Sequence, residues 1–372
     1  MTAKPELISW SSRSPSPRPS PPGRGRIFSS AGAGSPTSEF SCRCHWWFSL
    51  LGERARVRAS LVSECKETAI LKALILLLPL CFVSASQAKL NVIATTTDFG
   101  ALAKDIGGDK VEVFTLAKPT EDPHFVDAKP SFSVKLNHAD AIIEGGAELE
   151  IGWLPPLLDQ ARNTKLETGT PGHVACNQGV QLLEVPTSLD RSKGDIHAAG
   201  NPHFMMDPAN ARIVAQHLAD SFCKLDPKSC ESYQENLKKF TERLDSKLAE
   251  WQKRLEPFKG QRIVSFHNSW PYFAEHFGVK IDLFLEPKPG IPPTPTHIAE
   301  VIAKMKEEKI HVIFVEPHLD RKKAESIARS TGATVLDVAQ FPGGIKGTDG
   351  DYIKLMDYLV NSLAKALEGG AK

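Results

Sequence analysis

The chain is almost without net charge, with 45 Lys and Arg against 44 Asp and Glu in 372 residues. It lacks the basic excess that marks most nucleic-acid binders, and no nucleic-acid partner is expected. Cysteine is sparse at seven residues, too few for a disulfide scaffold of this length. The apolar stretch Leu74 to Val83 falls well short of the roughly 20 residues that a membrane-spanning helix needs. The His-Glu-x-x-His pattern of zinc proteases is missing, and so is the Gly-x-Ser-x-Gly elbow of serine hydrolases. No Met lies between Met1 and Met205.

What is present divides into two unlike parts. Residues 1–60 are rich in Ser, Pro and Arg and carry no apolar periodicity, so they cannot bury a core. They are a disordered arm or, the favoured reading, upstream sequence assigned to the protein by a misplaced start. Residues 66–88 read as a cleavable signal peptide: Lys66 and Lys72, then the apolar stretch, then Ser86-Gln87-Ala88. Cleavage is expected after Ala88 and export to the periplasm follows. Leu80 before Cys81 speaks against a lipid-modified cysteine. Without residues 1–88 the chain has 284 residues, 34 basic and 39 acidic, and three cysteines.

In this exported part, strand-length apolar runs alternate with helix-length segments, which implies α/β layers with mainly parallel sheets. Strands are expected at 90–96, 111–114, 141–143, 262–266, 279–284, 312–315 and 334–338. Helices are expected from Phe99, near Pro130, and at 208–222, 296–308, 320–330 and 350–367. One segment breaks the alternation. Leu237, Phe240, Leu244, Leu248, Trp251 and Leu255 recur at steps of three and four, one face of a single helix over 228–255. Pro227 starts it and Pro257 with Gly260 stops it. Its central position predicts a rigid strut between two α/β lobes. The expected plan is an extension over 1–65, a signal peptide over 66–88, a first lobe over 89–226, a linking helix over 227–257 and a second lobe over 258–372. Cys223 and Cys230 flank the turn into the long helix, where a local disulfide is expected.

Three loops carry candidate chemistry: Asp122-Pro123-His124-Phe125, Asn201-Pro202-His203-Phe204 and Phe266-His267-Asn268. Ligands of open α/β sheets bind at the carboxyl ends of strands, and proline before histidine stiffens the loop that presents it. Imidazole suits Zn(II), and zinc sites hold three or four protein ligands. His197 reads as a solvated loop histidine, with an accessory ligand as the alternative. Trp270 and Phe273 read as packing around the site, and Phe341-Pro342-Gly343-Gly344 as a loop near the cleft.

With Asp122-Pro123-His124 and Pro130-Ser131, Ala139-Asp140 to Glu150, Asn201-Pro202-His203 with Asp207-Pro208, Ser265-Phe266-His267 and Phe314-Val315-Glu316-Pro317 in that order, residues 89–372 resemble the periplasmic solute-binding proteins of zinc and manganese ABC importers, the ZnuA/TroA-like group. The resemblance implies two α/β lobes joined by one long rigid helix, with the metal in the inter-lobe cleft on His124, His203 and His267. It implies a membrane permease with its ATPase as partners, no enzymatic activity and a monomer. The family's usual carboxylate ligand falls here on Ala339 or Gln340. Asp337, on the same side of its strand as residue 339, is the expected substitute, with Glu316, Gln340 or a water as rivals. The family's manganese members place a carboxylate where His267 stands, so Zn(II) is expected as the transported ion, with Mn(II) or Fe(II) as the alternative. A His-rich loop found in many zinc members has no counterpart in 163–200. An exported zinc hydrolase is the rival function, and adhesion, a label of some relatives, a third.

Overall fold

The computed structural model describes residues 88–188 and 197–370. The extension over 1–65 and all of the expected signal peptide except Ala88 lie outside the described residues. Among those described, no helix is long and apolar enough to cross a membrane.

The first lobe contains β1 (Leu90–Ala94), α1 (Thr97–Gly107), β2 (Val111–Thr115), α2 (Pro130–Asn137), β3 (Ala141–Glu144), α3 (Leu154–Ala161), β4 (His173–Ala175) and α4 (Pro208–Leu225). Then comes α5 (Cys230–Leu255). The second lobe contains β5 (Arg262–Ser265), α6 (Pro271–Phe277), β6 (Lys280–Phe284), α7 (Pro295–Glu307), β7 (Val312–Val315), α8 (Arg321–Thr331), β8 (Thr334–Asp337) and α9 (Tyr352–Gly370). All pairings between these strands are parallel. The sheets run β2-β1-β3-β4 and β6-β5-β7-β8, the same order twice. In each, the order reverses beside the first strand, which opens a crevice at the strands' carboxyl ends. Val92, Ile93, Ala94, Ile142, Ile143, Val312 and Ile313 are buried, as expected for strands covered on both faces.

The long helix α5 has 26 residues, about 39 Å at 1.5 Å per residue. It does not bridge open space. It packs along α4, α1 and α9, burying Tyr233, Leu237, Phe240, Leu244, Trp251 and Leu255. Asn236 Nδ2 donates to the Ile106 carbonyl at 3.0 Å and Arg243 pairs with Asp105 at 3.0 Å, pinning its first half to α1. Further along, Trp251 Nε1 donates to Asp357 of α9 at 2.9 Å and Arg254 pairs with Glu368 at 2.6 Å. The Cys223–Cys230 disulfide closes the turn from α4 into α5.

The two lobes share one apolar core. A single cluster runs from Val92, Phe99, Phe204 and Met205 of the first lobe to Trp270, Phe273, Phe314, Tyr352 and Leu359 of the second. Buried polar links reinforce it: Tyr352 donates to the Met205 carbonyl at 2.7 Å and Tyr272 to the Asn201 carbonyl at 2.6 Å. The loop after β8 also crosses between lobes. A Cβ on Gly344 would lie 2.9 Å from the Pro119 carbonyl, so the approach requires glycine.

Candidate metal centre

His124 and His203 are presented by the same local device. In each loop the residue two before the histidine accepts its backbone N–H: His124 N donates to Asp122 Oδ1 at 2.9 Å and His203 N to Asn201 Oδ1 at 3.0 Å. Such a turn needs a short side-chain acceptor, and the intervening proline fixes φ. Trp153 Nε1 braces the first loop by donating to the Pro123 carbonyl at 2.9 Å. The second leads through a 3-10 turn, Phe204–Met206, into α4, whose N-terminus is capped by Asp207 with Pro208 in the first turn. His267 leaves the carboxyl end of β5, where Ser265 Oγ donates to its carbonyl at 2.7 Å.

The three histidines converge. Each offers one ring nitrogen, and these atoms lie within 4.8 Å of one another. The Nε2 atoms of His124 and His203 are 3.4 Å apart. The rings stand nearly perpendicular, with centroids 5.2 Å apart for His124–His203 and 5.6 Å for His203–His267. They face a cavity of about 300 Å³ between the lobes, also lined by Asp122, Glu148, His197, Glu286, His318 and Gln340.

The electrostatics keep two of the imidazoles neutral. Burial, then the neighbouring histidines, holds His124 down to about 3. Burial, then His124, His267 and His197, push His203 well below the usual histidine range, although Gln340 bonds to its side chain. His267 goes the other way. Burial disfavours its charge, but the hydrogen bond and charge of Glu286, with Glu316 and Asp122, outweigh it and raise the pKa. A neutral imidazole is the form that binds a metal ion.

The remaining candidates are sorted by the geometry. Asp337 is not brought to the cluster, contrary to the expectation. It ends β8 at the sheet edge, its side chain is 55% exposed, and it pairs with Arg321 of α8. The alternation of sides stops where the strand stops, so sharing a side with residue 339 carries no weight. Glu316 is buried and its Oε1 accepts from Trp270 Nε1 at 3.0 Å; burial pushes its pKa up to about 7. Trp270 and Phe273 are wholly buried packing, as expected. His197 is not simply a solvated loop residue, for its ring stacks on His124 at 5.0 Å. His318, which was not singled out, lines the cavity. Its signal was present: Pro317-His318 repeats the Pro-His pair of the other two loops.

Comparison with known proteins agrees with this architecture. Residues 92–366 match the family model for the zinc-uptake complex component A, periplasmic. The manganese ABC transporter substrate-binding lipoprotein PsaA of Streptococcus mitis is 27% identical over 293 residues, 76% of this chain and 91% of PsaA. The iron ABC transporter substrate-binding lipoprotein MtsA of Streptococcus pyogenes is 26% identical over 292 residues, with the same coverage. Among solved structures, ZnuA superposes with a TM-score of 0.63 at 24% identity, covering 75% of this chain and 99% of that one. The manganese-bound periplasmic metal binding protein of Candidatus Liberibacter asiaticus gives 0.62 at 24% identity, with 75% and 100% covered. With two parallel-sheet lobes, a long connecting helix and a histidine-lined cleft between them, the chain belongs to the periplasmic zinc-uptake component family, whose members are metal-binding solute-binding proteins of ABC transporters and not enzymes.

Proposed function

We propose that the chain captures Zn(II) in the periplasm on His124, His203 and His267 and delivers it, as a monomer, to an ABC permease driven by its ATPase. The observation that carries this reading is the convergence of three imidazole nitrogens, with no carboxylate among them, in one cavity between the lobes. Imidazole favours a borderline ion such as Zn(II), whereas Mn(II) prefers harder oxygen donors. Gln340 beside His203, or a water, completes the coordination. Asp122, Glu148 and Glu286 line the same cavity and supply negative charge that draws cations inward. The deciding experiment is competitive titration of residues 89–372 with Zn(II) and Mn(II), with metal content measured after purification. Tighter binding of Zn(II) supports the reading, and tighter binding of Mn(II) overturns it.

The second reading, an Mn(II) or Fe(II) carrier, draws on the names of the streptococcal relatives. Metal content of the protein purified from its native periplasm, Fe included, separates the two, since Zn(II) outranks Mn(II) and Fe(II) in affinity at most sites.

A further inference from the structure

Asp122 and Asn201 hold the two Pro-His turns by the same bond, but they are not equivalent groups. A carboxylate offers an oxygen whichever way it is turned. An amide offers its oxygen to His203 N only when its NH2 is accepted on the other side. Two acceptors stand there: Asn201 Nδ2 donates to Glu184 Oε2 at 3.0 Å and to the Asn268 carbonyl at 2.9 Å. Asn268, which follows His267 in the chain, donates its own Nδ2 to the same Glu184 oxygen at 2.8 Å. One carboxylate oxygen of the first lobe is therefore bonded to the residue two before His203 and to the residue after His267.

Glu184 sits in a conformation that disfavours it. Its φ is +54°, the left-handed region that suits glycine. The preceding residue pins the segment across the lobes, for Tyr272 Oη accepts from Leu183 N at 2.9 Å and the Leu183 carbonyl accepts from Asn201 N at 2.8 Å. Glu184 is exposed and stands outside the group of converging donor atoms, so neither core packing nor ligation accounts for its placement. With Asn201 and Asn268 it lines a cavity adjoining the metal cavity, shared with His197, His203 and His267.

We propose that Glu184 is a positioning residue for zinc binding: it orients the Asn201 amide toward His203 and ties the His203 and His267 loops to one another. The proposal rests on the three-histidine zinc reading given above.

The test uses Glu184→Ala, Glu184→Gln and Asn268→Ala in the mature protein. Zinc release is read by chelator capture and stability by denaturant unfolding. Glu184→Ala should release zinc about tenfold faster with an unchanged unfolding midpoint, the lower end for losing a partner that orients metal ligands. Glu184→Gln keeps an oxygen that accepts from both asparagines and should stay near wild type. Asn268→Ala combined with Glu184→Ala should add less than its own effect, because both break one clasp. An unchanged release rate in Glu184→Ala overturns the proposal. So does release from Glu184→Gln as fast as from Glu184→Ala, which assigns the effect to charge. Hydrogen exchange at the His203 backbone N–H of metal-free protein needs no zinc, and should quicken in Glu184→Ala but not in Glu184→Gln. A wild-type protein that binds no zinc while this exchange responds removes the zinc reading and keeps the positioning role; exchange that does not respond removes the positioning role.

Discussion

Glu286 Oε2 lies 2.8 Å from His267 Nδ1. The carboxylate fixes the tautomer of the ring and turns its other nitrogen toward His124 and His203. Glu286→Gln keeps the shape and removes the charge. Zinc affinity is expected to fall by about 10- to 100-fold, the usual cost of losing such a partner. Chelator competition at neutral pH measures it.

Asp337→Ala is expected to leave zinc affinity unchanged. The side chain is exposed and engaged with Arg321, away from the histidines. The stability lost should stay within about 1 kcal/mol, as for an exposed ion pair. His203→Ala supplies the contrast, since it removes the buried imidazole of the proposed ligand set, and tight binding should disappear. Equal affinities in the two variants would overturn the three-histidine assignment.

Zinc binding should weaken in acid with a slope of fewer than three protons. His124, held down to about 3, is already neutral at pH 5, and burial pushes His203 below the usual histidine range, so both resist protonation in mild acid. His267 alone is raised. It is protonated as pH falls through its raised value, and the metal must then compete, so affinity drops about tenfold per pH unit below it. Titrations between pH 8 and 5 check the slope.

Glu150 gives stability the opposite dependence. Burial pushes its carboxyl up to about 8, against an ordinary value of 4.5. The folded protein therefore holds a proton that the unfolded chain releases above 4.5. This contribution is full at low pH and is lost as pH rises from about 4.5 to about 8. Denaturant unfolding of Glu150→Gln, compared with wild type across that window, should show a flatter pH profile.

Reducing the Cys223–Cys230 bridge, or replacing both cysteines with alanine, should lower stability and leave the metal site intact. The bridge spans a separation of seven residues, and closing so short a loop is worth about 2.5 kcal/mol in the chain-entropy view. Calorimetry with and without reductant, beside a zinc titration, separates the two effects.

Most of this fold was legible because parallel strands buried on both faces appear as short Val- and Ile-rich runs, and because α5 carries an unbroken apolar stripe. The elements that escaped notice were short or disguised. β4 has only three residues, and α3 opens with Leu154-Pro155-Pro156, which reads as a loop although proline suits a helix's first turn. At the site, Asp-Pro-His and Asn-Pro-His pointed to two of the histidines that converge because each is a turn with its own hydrogen bond. The stacking of His197 on His124 was not legible, since nothing local in 163–200 encodes a contact with residue 124. Asp337 misled because alternation was carried past the end of its strand, from residue 337 to residue 339.

The core that runs unbroken beneath both lobes has a consequence for how the cargo leaves. A clamshell swings on a joint, and swinging here would drag Phe204, Trp270 and Tyr352, all wholly buried, into water at several kcal/mol. The protein behaves less like a hinged shell than like a fixed bowl with movable lips. Exchange of the cargo is then expected to run through local shifts of the loops that carry the Asp122–His124 and Asn201–His203 turns rather than through separation of the lobes.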